Sequence, residues 1–165
     1  WFCMYFFTSV GFFHSKRRCV ALSKQRHKKV IRPEKCPCCG SPVVLRSADG
    51  IYKSNPHHVQ LYVCSKYPVC DAYVRVIPGT TIPLGTMADK QLRYLRKRAH
   101  QYFDQLYTTG IMTKKQAYAW LADVLQLPPQ QVHIGYFGDY YCQQVIRQAQ
   151  KVLQENQYRL VPGGV

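Results

Sequence analysis

The chain has 165 residues, which suits one domain or a small ribbon joined to a helical unit. Its 23 Lys and Arg against 8 Asp and Glu give a net charge of +15, which predicts a polyanionic partner. Nucleic acid is favoured over a membrane surface because 13 tyrosines are available for stacking, while a generically basic protein is the plainer alternative. Eight cysteines, about 5 % of the chain, are too few for a disulfide scaffold.

Residues 1–35 divide into an apolar start and a basic arm. Trp1 to Phe13 is apolar but shorter than the ~20 residues of a membrane span, and it lacks the flanking charges and cleavage site of a signal peptide. Between His14 and Lys35, nine residues are Lys or Arg and one, Glu34, is acidic. We expect a flexible arm that adds electrostatic affinity, with a solvated charge run of no specific role as an equal alternative. We expect the protein in the cytoplasm.

Four cysteines in two short clusters carry the strongest signal in the chain. Cys36 and Cys39 form a C-x2-C pair, and Cys64 and Cys70 form a C-x5-C pair 24 residues further on. This is the layout of a closed, structural four-thiolate zinc site on two knuckles joined by a β-hairpin. Disulfides or buried thiols are the alternative. Cys38 could replace Cys36 in a tighter pair, but we predict that it is not a ligand.

The cysteine clusters carry a resemblance to a known family. The stretch Cys36-Pro-Cys-Cys-Gly-Ser-Pro-Val-Val-Leu-Arg46, followed by Tyr62-Val-Cys-Ser-Lys-Tyr-Pro-Val-Cys70, resembles the C-terminal zinc ribbons of type IA topoisomerases. The insert 47–58 is longer than in that family, and no topoisomerase catalytic domain is present. Residues 36–153 also resemble a family of small phage and mobile-element proteins with a zinc-finger-containing domain. The first resemblance implies nucleic-acid contact, and the second implies a phage setting in a bacterial host cell.

The stretch after the arm predicts a ribbon over residues 36–77. Three short segments have the β-branched and aromatic character of strands, Val43–Arg46, Val59–Val63 and Ala72–Val76. They would form the ribbon hairpin and one added strand. Residues 78–85 hold two Pro, two Gly and two Thr, which predicts a linker.

Residues 86–155 predict three helices, so the fold class is α+β. The first has an apolar face that repeats at three and four: Leu92, Leu95, Ala99, Tyr102, Phe103 and Leu106. Gly110 ends it, and Thr113 with Gln116 predicts a capping box that opens the second. Pro128-Pro129 stops the second helix, and a third starts near Asp139. The tail 156–165 is expected to be frayed.

Catalysis is not expected. His100 and Asp104 stand one turn apart, and His133, Asp139 and Cys142 cluster downstream, but their spacing fixes no active-site geometry. The chain has no Gly-rich phosphate loop and only eight acids in total. We therefore predict that the protein is not an enzyme.

The resulting prediction is a zinc-ribbon protein that binds nucleic acid, DNA favoured and preferably single-stranded. The topoisomerase resemblance implies that Tyr62 and Tyr67 meet bases, and that Arg46, Lys66 and Arg75 lie near the backbone. Tyr67 is expected to be exposed in the second knuckle, with packing across the ribbon against the helical unit as the alternative. The alternative is a phage-encoded inhibitor or adaptor that binds a host nucleic-acid enzyme such as a defence nuclease. The candidate nucleic-acid contacts are Arg46, Lys53, Tyr62, Lys66, Tyr67, Arg75, Lys90, Arg93 and Lys97.

Overall fold

The computed structural model describes residues 32–160, and the side chains of 32–156. Most of the basic arm therefore lies outside the described residues. A three-stranded antiparallel sheet is followed by three helices, which confirms the predicted α+β class. The elements are β1 (Val43–Ser47), β2 (Gln60–Cys64), β3 (Tyr73–Arg75), α1 (Lys90–Thr108), α2 (Lys114–Leu125) and α3 (Asp139–Leu160), with 3-10 turns at Pro129–Gln131 and Ile134–Tyr136.

The central strand β2 is buried on both faces. Strand order is β1-β2-β3, and Leu61 lies opposite Arg46 on one side and Arg75 on the other. Leu61 and Val63 pack with Ala48 on one face of the sheet, and three half-buried tyrosines, Tyr52, Tyr67 and Tyr73, border that cluster. Because side chains alternate along a strand, Tyr62 and Cys64 face the other way, where they pack with residues that include Val74 and Met87. Each sheet face therefore has its own small apolar cluster.

The segment predicted as a linker follows the outer edge of β3. The Leu84 N–H donates to the Arg75 carbonyl at 2.8 Å, and Val76 forms a bridge with Pro83. Gly85 lies against the turn before α3, where a Cβ atom would overlap the carbonyl oxygen of Gly135. The segment is thus hydrogen-bonded to the ribbon and closely packed on the helical unit.

The helices begin where local sequence signals place their caps. The Asp89 side chain accepts the Leu92 N–H at 2.8 Å and starts α1. The predicted capping box at Thr113 and Gln116 is present and starts α2. Helix α3 extends to Leu160, past the boundary predicted at residue 155.

The helical unit has one continuous apolar core. Phe103, Leu106, Leu121 and Val145 are fully buried in it, and α1 packs chiefly on α3. No helix among residues 32–160 is long and apolar enough to cross a membrane. The cytoplasmic location stays a prediction.

Two arginines on α1 connect the ribbon to the helical unit. The Arg93 guanidinium donates to the Asp71 carboxylate at 2.9 Å and lies 3.7 Å from the centre of the Tyr73 ring. One turn along, Arg96 donates to the Thr86 carbonyl at 2.7 Å and to the Phe137 carbonyl at 2.9 Å. Each side chain therefore links segments that are distant in sequence.

Candidate functional site

The structure brings the four predicted cysteine ligands together. The sulfur atoms of Cys36, Cys39, Cys64 and Cys70 all lie within 4.8 Å of one another. Cys36 and Cys70 are 3.6 Å apart, and Cys39 and Cys64 are 3.4 Å apart. Each knuckle supplies two sulfurs, as the C-x2-C and C-x5-C spacing predicts. Among the described residues, this is the one group of three or more potential metal ligands that converges.

The distances fit a tetrahedral zinc ion. With Zn–S bonds of about 2.3 Å, the edges of the sulfur tetrahedron are about 3.8 Å long, and the two short separations are close to that value. Four thiolates leave no open coordination position, which is typical of a structural site. The donor set therefore fits a metal ion that holds the ribbon together.

Backbone N–H groups of the knuckles stabilise thiolates at the cluster. The hydroxyl and N–H of Ser41 hydrogen-bond the Cys39 sulfur and lower the pKa of that thiol to about 6. The Lys66 and Ala72 N–H groups reach Cys64 and Cys70 in the same way, each from two residues further along the chain. Burial dominates at Cys64 and raises its pKa to about 12. The hydrogen bonds therefore favour the thiolate form of Cys39, whereas burial disfavours it at Cys64.

Glycine after the first pair permits the turn that this geometry needs. Gly40 has a φ of +71°, a region that residues with a side chain rarely adopt. Its N–H donates to the Cys36 carbonyl at 2.9 Å and closes the knuckle.

The remaining described cysteines lie outside the cluster. Cys38 is exposed between two ligand positions and is not among the four converging sulfurs. Cys142 is buried in the helical core, and its thiol is 3.9 Å from the Phe137 carbonyl. Cys3 and Cys19 fall outside the described residues.

The predicted nucleic-acid contacts divide into accessible and inaccessible side chains. The accessible cations include Lys53 and Lys66 on ribbon turns and Lys90 and Lys97 on α1. Arg46 and Arg75 are exposed on the two outer strands of the sheet.

Two of the predicted nucleic-acid contacts are wrong, because their side chains are already buried or paired within the protein. Tyr62 is 6 % exposed, and its hydroxyl donates to the Thr81 carbonyl at 2.9 Å, so its ring has no free face for a base. Arg93 is committed to Asp71 and to the Ala88 carbonyl, at 2.9 and 2.6 Å. Its charge therefore joins the ribbon to α1 instead of being available to a phosphate.

Tyr67 is half-buried, not exposed as predicted. Its ring packs beside the cluster of Ala48, Leu61 and Val63, and the Arg46 guanidinium lies 5.3 Å from the ring centre. Tyr67 therefore packs on the apolar face of the ribbon itself. The sequence did not indicate this contact, because the knuckle is short and offers little core of its own for a large side chain.

The sequence analysis missed an aromatic and cationic patch on α1. Arg98 lies between two tyrosines, 3.4 Å from the Tyr94 hydroxyl and 3.0 Å from the Tyr102 hydroxyl. Together with Lys97 and Gln101, these three side chains line a shallow cavity of about 370 Å³. The spacing of four between Tyr94, Arg98 and Tyr102 is visible in the sequence and could have revealed the patch.

The histidines considered for catalysis have ordinary local contacts. His100 lies 3.7 Å from the Asp104 carboxylate on the exposed side of α1. The His133 ring accepts the Gly135 N–H at 3.2 Å at the start of a 3-10 turn. The absence of catalytic activity stays a prediction.

Comparison with known proteins identifies one match. The model of a family described as a zinc-finger-containing domain matches residues 32–152. No curated protein and no solved structure matches the chain.

Proposed function

The chain belongs to the family described as a zinc-finger-containing domain, and from this premise we propose that it is a zinc-stabilised protein that binds single-stranded nucleic acid, DNA in particular. One zinc ion at Cys36, Cys39, Cys64 and Cys70 fixes the ribbon, and exposed cations contact phosphates. The similarity of both knuckles to topoisomerase zinc ribbons supports this assignment, as does the net charge of +15. The phage setting implied by the second resemblance is part of the proposal.

The distribution of ion pairs carries the proposal. Within the part of the chain that the structure describes, Arg93 is the single Lys or Arg side chain with a carboxylate within 4.0 Å. All eight acidic residues lie in this same part of the chain. The other described cations therefore lack a carboxylate partner because the acids are placed elsewhere on the protein. The protein's own acids leave the positive potential of its surface largely uncompensated, which is what a polyanion requires.

The exposed side of α1 offers both elements of single-strand binding. Lys90, Tyr94 and Lys97 recur at intervals of four and three and therefore share one helix face. Tyr94 is 57 % exposed, so a base can approach its ring. Stacking on an accessible aromatic contributes roughly 1–3 kcal/mol per base and tolerates any sequence. A duplex keeps its bases stacked inside and gains only the phosphate contacts.

Fluorescence anisotropy with a labelled oligothymidylate and a matched duplex tests the proposal. The wild-type protein is expected to bind the single strand more tightly, with an affinity that falls steeply as salt rises. Lys90→Ala/Lys97→Ala should weaken binding and reduce the log–log salt slope by about 0.7 for each single-strand phosphate that is no longer neutralised. The matched control is Arg147→Ala/Lys151→Ala, two exposed cations one turn apart on α3.

Three outcomes would contradict the proposal. The wild-type protein could fail to bind either oligonucleotide at low salt, it could prefer the duplex, or the two double variants could behave identically. Failure to bind, combined with a host protein that co-purifies after nuclease treatment, would favour the inhibitor or adaptor alternative.

A further inference from the structure

Arg75, the last residue of β3, contributes to the lining of two cavities. The larger, of about 580 Å³, lies between the turn at His57 and His58 and the turn at Thr80. The smaller, of about 270 Å³, is lined by Tyr52, Tyr73 and the junction of α1 with the ribbon. Arg75 lines both, so the two cavities adjoin at this side chain at the end of β3, and together they are called here the Arg75 groove.

Arg75 is the free cation at the centre of this groove. Its side chain is exposed, and the guanidinium forms no hydrogen bond or ion pair with any residue in 32–156. Arg93 and Arg96 also border the groove, but their guanidinium groups are occupied by Asp71 and by the Thr86 and Phe137 carbonyls. Since carbonyls do not neutralise a guanidinium, Arg96 adds positive charge beside Arg75.

The rest of the lining suits an anion with an attached aromatic group. No Asp or Glu lines either cavity within the described residues, whereas His57 and His58 line the larger one. Tyr52 lines the smaller cavity and meets Tyr73 edge-on, with ring centres 6.1 Å apart. The Tyr73 ring is covered by Arg93 at 3.7 Å, so Tyr52 is the tyrosine left to contact a ligand.

We propose that the Arg75 groove holds a nucleotide unit of the bound single strand, with its phosphate on Arg75 and its base in one of the two cavities. This inference rests on the proposed function and assigns it a place. The larger cavity has the size of pockets that hold small organic ligands, roughly 300–1,000 Å³. Arginine presents two parallel N–H donors that match a phosphate. A base in an intact duplex cannot enter a cavity without first being flipped out of the stack, so the groove selects single strands.

Arg75→Gln is the test variant and Arg147→Gln is its matched control, because Arg147 is an exposed arginine on α3, away from the groove. We expect Arg75→Gln to weaken oligothymidylate binding about tenfold, as the loss of one charge-assisted hydrogen bond to phosphate implies. Arg147→Gln should change it less than twofold. Thymidine 5′-monophosphate, used as a probe in NMR titration, should shift the amide signals of residues 57–60 and 75–80 in the wild type and not in Arg75→Gln.

The outcomes separate the groove from the proposed function. If Arg75→Gln binds the strand like the wild type while Lys90→Ala/Lys97→Ala does not, the groove is wrong and nucleic-acid binding survives. If the wild type binds no strand at all, both fail. Zinc content and the thermal midpoint establish that the variant is folded. If Arg75→Gln is not folded, His57→Ala at the rim of the groove is the second test variant. We expect His57→Ala to lose affinity, and an unchanged affinity would contradict the groove.

Discussion

The ribbon and the helical unit differ in what stabilises each of them internally. In the helical unit, fully buried Phe103, Leu106, Leu121 and Val145 belong to one continuous core. In the ribbon, strands of five, five and three residues carry two separate clusters, one on each face of the sheet. Domains of about 40 residues or fewer usually need a metal ion, disulfides or oligomerisation to be stable, and the ribbon is close to that size. The comparison indicates that the ribbon, with its two small clusters, needs the further stabilisation that a metal ion at its four-cysteine site would supply.

Metal removal should produce the largest difference in stability between the ribbon and the helical unit. Chelation of zinc, or Cys64→Ser, should unfold the ribbon, since apparent binding energies of structural zinc are on the order of 10–16 kcal/mol and count as folding energy. The helical far-UV circular dichroism should largely persist. Elemental analysis should find one zinc per chain in the wild type and none in Cys64→Ser.

Cys38→Ser is the control for this prediction, because Cys38 is exposed and lies outside the converging sulfurs. It should retain zinc and the ribbon. Equal metal loss from both serine variants would refute the ligand set. Loss of all helical signal on chelation would refute the independence of the helical unit.

A substitution that creates a cavity in the helical core should destabilise the helical unit and leave the zinc site intact. Phe103 is fully buried and meets the Tyr118 ring edge-on, with centres 5.0 Å apart. Phe103→Ala should lower the free energy of unfolding by about 3–5 kcal/mol, measured by urea denaturation followed at 222 nm. Zinc content should remain at one per chain. Tyr94→Ala, at an exposed position on the same helix, should change stability by less than about 0.5 kcal/mol.

If Phe103→Ala also released zinc under native conditions, the two regions would fold as one unit. The comparison between a metal-held ribbon and a core-held helical unit would then be false.

The junction between the regions should be weakened by removing Arg93. This side chain bridges Asp71 of the ribbon and α1, and it stacks on Tyr73. Arg93→Ala should lower stability by about 1–3 kcal/mol, since it leaves hydrogen-bonding groups at the junction without their charged partner. Thermal unfolding followed separately by ribbon and helix signals should show transitions that move apart.

Arg98→Ala provides the comparison for Arg93→Ala. Arg98 lies on the same helix, but its guanidinium contacts Tyr94 and Tyr102 and nothing in the ribbon. Its removal should leave the two transitions together. Identical effects of the two alanine variants would show that the junction does not depend on Arg93.

The sequence predicted those parts of the molecule whose signals are local. The four ligands could be predicted because each knuckle contains its own pair of cysteines, with Gly40 at the turn. Likewise the second helix could be placed because Thr113 and Gln116 cap it within one turn of chain. Neither prediction needed knowledge of a distant residue.

The parts that could not be predicted depend on contacts across the sequence. Tyr62 reads as a strand aromatic, and its burial follows from the segment near Thr81 and Met87 that covers its side of the sheet. Composition predicts a linker at 78–85, but its pairing with β3 depends on the arrangement of the whole ribbon. Arg93 reads as an exposed helix position, and its partner Asp71 is 22 residues away.

The smallest expected effect concerns Tyr67, where the prediction from sequence and the structure differ. An exposed ring would let Tyr67→Ala keep its stability and lose single-strand affinity. The half-buried ring packs instead against the Leu61 and Val63 face, below the Arg46 guanidinium at 5.3 Å. We expect Tyr67→Ala to lower ribbon stability by about 1 kcal/mol, since the variant removes a partly buried aromatic ring together with its cation–π interaction. Tyr67→Phe should keep both properties, because its ring has the same area.

A double-mutant cycle with Arg46→Ala isolates the interaction between the two side chains. At a site open to solvent, a cation over a tyrosine contributes about 0.5–1 kcal/mol, so the coupling between Tyr67→Ala and Arg46→Ala should fall in that range when measured by thermal unfolding of the zinc-bound protein. A coupling near zero, with affinity per folded molecule reduced in Tyr67→Ala, would return this ring to the role the sequence predicts, stacking on a base. A measurable coupling with unchanged affinity would instead make Tyr67 part of the ribbon's packing, and nucleic-acid contact on that side of the sheet would then depend on cations such as Arg46 and Lys66.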